Sequence, residues 1–166
     1  MILEDESRLR PEPSKSLSRK ALPAWRLQAF VESLFVALVP IAYGVLLYFF
    51  QFPFWILWGL IGCYLLYLFL FVYLLPPLRW KRWRYDVLAE EIDLKHGVFI
   101  VKRTLIPMSR VQHVDTEQGP LLRRYQLAAV SISTAATVHR IPSLTIEVAD
   151  ELRDRIAQLA AVAEDE

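Results

Sequence analysis

His113 and Asp115 are the pair best placed to do chemistry, because side chains two apart on an extended segment leave the same face and a carboxylate can orient a histidine as a general base. Ser109 and Arg110 stand nearby. Nothing in the sequence completes such a site. There is no elbow-type nucleophile motif and no glycine-rich phosphate loop, and His96, His113 and His139 do not have metal-ligand spacing. These residues are therefore expected to be satisfied structural polar groups. No enzyme activity, cofactor or metal is expected. Cys63 is the single cysteine, so no disulfide can form within the chain.

The elements that must position any site are dominated by an apolar block over residues 27–78. No Asp, Glu, Lys or Arg occurs from Leu34 through Phe50, or from Phe52 through Leu78. About 20 helical residues cross a bilayer core, so the block reads as a transmembrane hairpin, about 27–50 and 54–75, stopped at Pro76-Pro77. With 55% hydrophobic residues and a mean hydropathy of +0.31, the chain is too apolar for an ordinary soluble domain. Lys and Arg flank the block at Arg19, Lys20 and Arg26 and again at Arg79, Lys81, Arg82 and Arg84, while the connecting loop has none. That bias predicts a multi-pass protein of the bacterial cell membrane with both termini cytoplasmic. Residues 1–26 contain three prolines and no sustained apolar period, which predicts a flexible cytoplasmic arm and no signal peptide.

Within the block, Glu32 is the one carboxylate, expected at the interface or paired with Arg26, Arg79 or Lys81 rather than in a proton relay. Ser33, Ala37, Pro40 and Gly44 make a small-residue stripe, and Gly59, Gly62 and Cys63 answer it on the second helix. Ala37, Gly44, Gly59 and Gly62 are the expected helix-packing residues, with Gly44 facing Gly59 across the hairpin's seam. Beyond the block, Arg79, Trp80, Lys81, Arg82, Trp83 and Arg84 interleave cations with indoles and read as a membrane-interface belt on an anionic leaflet. Nucleic acid, which favours similar patterns, is not an expected partner.

From residue 84 the pattern changes to short alternating segments. Strands are predicted over 84–89, 91–95, 98–105, 110–117, 129–134 and 137–141, with a tight turn at His96-Gly97 and a helical turn over 121–125. A helix over 146–163 follows, capped by Thr145 and striped by Ala149, Leu152, Ile156, Leu159 and Ala163, with Glu151 and Arg155 able to pair on its outer side. Residues 79–166 carry 13 basic and 13 acidic residues, a balanced cytoplasmic domain.

Arg103-Thr104-Leu105-Ile106-Pro107-Met108-Ser109-Arg110-Val111-Gln112-His113-Val114 resembles the "R-x-x-I-P-x-x-[RK]-[IV]-Q-x-V" core of the bacterial pleckstrin-homology-like, membrane-flanked domain family (YdbS-type). The block 119–128 is similar to the one that follows it, with Gln126 where the family often has glycine, a departure suggesting a different turn geometry. Ser133-Thr134-Ala135 and Ile141-Pro142-Ser143-Leu144 extend the match. The resemblance implies a pleckstrin-homology-like fold of seven strands in two sheets, a bent, partly open barrel closed by the C-terminal helix, and no enzyme chemistry.

Lys102, Arg103, Arg110, Gln112 and Arg124 are the candidate residues for binding a partner or a lipid headgroup, although an arginine here could instead fork onto backbone carbonyls or Asp115. The expected role is a binding and scaffolding module held at the cytoplasmic leaflet, acting in envelope maintenance or stress response. Expected partners are anionic membrane lipids and another membrane protein, a second copy or a paralogous pleckstrin-homology-like protein. The rival expectation is an accessory subunit of a transporter or export complex.

Overall fold

The computed structural model describes residues 11–50 and 52–164. It divides into a helical unit, Leu22–Leu78, and a domain formed by Arg79 onward together with the arm up to Ala21.

In the helical unit, α1 (Ala21–Phe49) and α2 (Phe54–Arg82) are each 29 residues long and apolar enough to span a bilayer. Helix α1 begins ahead of the apolar run, and α2 does not stop at Pro76-Pro77. A π-helical stretch, Phe69–Leu74, precedes the prolines, and Leu75 N–H reaches back to Leu70 O. Proline lacks the N–H of a helical turn and its ring crowds the carbonyl four residues back. The wider π turn ahead of the ring makes room for it, and the helix continues to Arg82.

The expected glycine seam is not formed. A Cβ placed on Gly44, Gly59 or Gly62 would meet nothing within 4 Å, and Gly59 and Gly62 lie on the exposed side of α2. Ala37 and Gly44 belong to the less exposed face of α1, but that of α2 carries Ile56, Leu57, Leu60, Ile61 and Tyr64. The less exposed positions of α2 are thus filled by large side chains rather than by glycine. Glu32 accepts from Gln28 Nε2 at 2.9 Å, one helical turn away, rather than pairing with a cation, and Arg26 sits 5.3 Å from the Tyr73 ring centroid.

Among the described residues, the domain has seven strands in two antiparallel sheets. The first holds β1 (Lys15–Ser16), β2 (Arg84–Val87), β3 (Glu91–His96) and β4 (Lys102–Pro107) in that order; the second holds β5 (Val111–Glu117), β6 (Leu127–Thr134) and β7 (Val138–Thr145). A 3-10 turn, Met108–Arg110, joins the sheets, and α3 (Pro120–Arg124) precedes β6. Helix α4 (Ile146–Glu164) buries Ala149, Leu152, Ile156 and Ala160, the predicted stripe with its last contact shifted. On its outer side Arg153, not Arg155, makes the ion pairs, with Asp150 and Asp154. The core is Ile92, Met108, Leu127, Val130, Ile132, Ile141, Leu144 and Ile156.

Two expectations about this domain are corrected. Residues 11–20 of the supposedly flexible arm are part of the fold: β1 pairs with β2 (Lys15 with Tyr85, Ser16 with Arg84), Ser14 Oγ donates to Asp86 at 2.9 Å, and Leu17 is buried. A two-residue strand is too short to show a period, and one leucine suffices to anchor it. Residues 1–10 lie outside the described residues. The strand predicted from 98 begins only at Lys102. Register holds to the pair His96–Lys102, where Gly97 adopts φ +120° and turns the chain out of the ladder, leaving 97–101 as the hairpin's tip.

Gln126 has φ +55°, the left-handed conformation a glycine takes without strain, so the turn geometry is kept despite the departure from the family pattern. Register shifts between Val111 and His113 in β5, and between Ala128 and Val130 opposite Pro142-Ser143 in β7, mark bulges. The two recognisable motif segments are thus the two places where the second sheet bends.

Candidate functional site

The sequence segments at 79–84 and 95–103 converge with the arm on one cleft. Glu12, Lys81, Arg82, Arg84, Lys95 and Val101 line it, enclosing about 260 Å³ in an open bowl. Helix α2 delivers Lys81 and Arg82 on its last turn, β2 delivers Arg84, and β3 delivers Lys95, whose register partner is Arg84. Four cations and one carboxylate face the same space. Lys95 Nζ donates to Glu12 Oε1 at 2.5 Å, and that bond, with the charges of Lys95, Arg103 and Arg84, holds the Glu12 carboxyl below its ordinary value.

Behind the cleft is an ion pair with little solvent. Arg103 donates from Nε at 3.1 Å and from Nη2 at 2.6 Å to the Asp93 carboxylate, and Asp93 is 5% exposed. Arg103 Nη2 also donates to Pro11 O at 3.0 Å. This forked geometry leaves the arginine committed to the fold. It ties the arm across β3 and β4, and in doing so places Glu12 over Lys95. Arg103 is therefore a positioning residue, not a free ligand-binding cation as its place in the sequence suggested.

The interface belt is divided by the structure. Lys81 and Arg82 are exposed, and Arg84 is half-buried with Nη1 on Trp83 O. Trp83 is buried in the domain, stacked on His96 with centroids 5.5 Å apart. Trp80 Nε1 donates to Leu17 O and Ser18 O, both at 3.1 Å, so its polar tip is spent on the arm. Trp83 is therefore a core residue of the domain rather than an interface anchor, while the Trp80 N–H is bonded to the arm and its ring is half-buried. Burial lowers the affinity of His96 for a proton, and the charges of Lys102, Arg79 and His139 add to the effect; its Nδ1 has no partner among the described residues.

Arg110, Gln112 and Arg124 are all exposed and away from the cleft. Arg110 ends the 3-10 turn, and Gln112 is the extra residue of the β5 bulge, which turns its side chain outward. Neither Arg110 nor Arg124 pairs with a carboxylate among the described residues, so the expected fork onto Asp115 is not made. Because β5 is an edge of its sheet, Arg110 and Gln112 sit at a strand edge. His113 and Asp115 are likewise exposed, and His113 Nδ1 bonds the carbonyl of Gln112 at 2.7 Å rather than Asp115.

Sequence reasoning missed the hairpin tip. Phe99 is 91% exposed and Ile100 85% exposed, with Val101 beside them on the wall of the cleft. Arg82 Nη1 donates to Val98 O at 3.0 Å, fastening the tip to the end of α2. The signal was present as four apolar residues after a glycine, but the same run also reads as a strand.

Comparison with known proteins agrees with this architecture. A family model described as "Bacterial PH domain" matches residues 27–160. The UPF0699 transmembrane protein YdbS of Bacillus subtilis (strain 168) is 49% identical over 158 residues, covering 95% of this chain and 99% of that protein. The UPF0699 transmembrane protein YdbT of the same organism is 24% identical over 91 residues, 54% of this chain and 18% of its own length. No solved structure matches.

Proposed function

The chain belongs to the bacterial PH domain family, and from that premise we propose that it is a non-enzymatic binding and scaffolding module anchored at the cytoplasmic face of the bacterial membrane. One observation carries this reading: β1, which precedes the two apolar helices, pairs with β2, which follows them. A sheet built from both flanks of a hairpin supports a multi-pass anchor with both flanks on one side, and the Lys/Arg bias favours the cytoplasm. The anchor then enters the domain at two points rather than one. Such a domain can meet only partners at the same surface, and the β5 edge with Arg110 and Gln112 offers backbone groups for an added strand. Its partners are another membrane protein, a second copy or a paralogous PH-like chain, together with the anionic leaflet. Its cellular role is in envelope maintenance or stress response.

The open glycines favour a second reading, an accessory subunit of a transporter or export complex that packs its helices on another protein. A photo-crosslinking residue placed at Gln112, and separately at Gly59, tests both in native membranes. A discrete adduct from position 112 supports the strand-edge module. Adducts from position 59 with none from 112 favour the accessory subunit and overturn the first reading.

A further inference from the structure

We propose that the hairpin tip, Phe99-Ile100, inserts into the leaflet that anchors the chain, while the cationic cleft at its base takes up lipid phosphate. The inference rests on the surface-anchored reading above and specifies its lipid contact.

Phe99 and Ile100 are among the most exposed large apolar side chains of the protein, and they are the ones held out from a folded β domain rather than from a membrane helix. Adjacent exposed apolar residues on a rimmed projection mark a contact surface. The tip is also built to keep its shape. A Cβ at Gly97 would stand 1.9 Å from Ile100 O, so the turn closes on its own backbone and presents Phe99 and Ile100 outward. Arg82 Nη1, bonded to Val98 O, holds the tip within a hydrogen bond of the helix that leaves the bilayer.

Charge identifies the occupant. Lys81, Arg82, Arg84 and Lys95 line the cleft, and Val101 joins it to the tip. Apolar residues projecting beyond a basic rim match a leaflet with acyl chains below anionic headgroups, whereas an apolar protein surface would not call for four cations. The cleft already accommodates one anionic group, the Glu12 carboxylate, which is largely exposed and can be displaced by a phosphate.

The test uses the full chain with Cys63→Ser, carrying one cysteine at Phe99→Cys or, as control, at exposed Gln158→Cys, each labelled with an environment-sensitive dye. Nanodiscs leave both membrane faces open to solvent, so an aqueous quencher reaches every unburied dye. In phosphatidylcholine containing phosphatidylglycerol, the dye at 99 is expected to shift to the blue, to be quenched by shallow spin-labelled lipid and to lose iodide quenching; the dye at 158 should do none of these. Phosphatidylcholine alone, or Lys81→Glu in the mixed lipid, should restore iodide access at 99. Iodide access at 99 equal to that at 158 in the mixed lipid overturns the insertion, and burial equal in both lipids overturns the role of the cleft. Protection at 99 in native membranes but not in nanodiscs would mean a protein covers the tip, and overturns the lipid contact while leaving adducts from Gln112 unaffected.

Discussion

Two short segments of the domain behave in opposite ways to their composition. Residues 11–17 are rich in charge, serine and proline, yet the structure pairs and hydrogen-bonds them and buries Pro13 and Leu17. Residues 98–101 are wholly apolar, yet the structure holds Phe99 and Ile100 out. Burial follows from the presence of a partner surface rather than from hydrophobicity alone. The arm meets an open edge of the first sheet at β2 and a pocket for Leu17. The tip has passed the end of its ladder, where no strand or helix remains to cover it.

The sharpest way to break that contrast is to remove the clamp that gives the arm its partner. Arg103→Met leaves Asp93 a buried carboxylate without its forked donor and releases Pro11 O. Breaking one side of such a pair costs about 3 kcal/mol. Thermal or denaturant melting of the full chain in detergent should show a loss of that size, together with faster proteolysis within residues 11–20. A loss under about 1 kcal/mol would mean the arm is held by Leu17 and the β1 pairing alone.

Leucine 17 and phenylalanine 99 then make a matched comparison, since each deletes an apolar side chain next to the first sheet. Leu17→Ala removes a residue 2% exposed and should cost about 2 kcal/mol or more. Phe99→Ala should fall within about 0.5 kcal/mol of the parent in detergent, where no leaflet is offered. Equal losses in the two variants would show that the tip packs on the domain, and would remove the distinction between the segments.

How much of this was legible in the sequence follows the same physical division. The membrane helices, β2, β3, β5 and α4 were readable because long apolar runs and alternating patterns report burial on one face over many residues. The family resemblance implied seven strands where periodicity showed six. The missing strand lay on the far side of the hairpin, where Lys15-Ser16 is too short to have a period. The tip was misread because a β-strand and an unpartnered apolar loop have the same composition, and only Gly97 distinguishes them. For the candidate site, the cations of the 79–84 run were readable, whereas their convergence with Glu12 and Lys95 depends on a pairing between β1 and β2 of residues as far apart as Lys15 and Tyr85, which no local pattern encodes. Trp83 was misplaced for a related reason. Tryptophan suits both a membrane interface and a core, and here a histidine stacked on its ring settles which.

That stacked pair gives the smallest effect and a pH window. Burial first, then the charges of Lys102, Arg79 and His139, lower the proton affinity of His96 in the folded chain; burial and Lys102 do the same to His139. Above the unfolded value, about 6.5, both histidines are neutral in either state and contribute no pH dependence. Below it the unfolded chain takes up protons more readily, so stability should fall as pH drops from about 7 toward 5. The carboxyl of Glu12, held low by Lys95, acts in the same direction but only at more acid pH, around and below its ordinary value. His96→Phe retains a ring over Trp83 and removes the buried titrating group, so melting curves between pH 7 and 5 should lose part of their slope. An unchanged slope in that variant would assign the histidine effect to His139 and leave the Trp83–His96 stack, at the base of the tip, insensitive to protons.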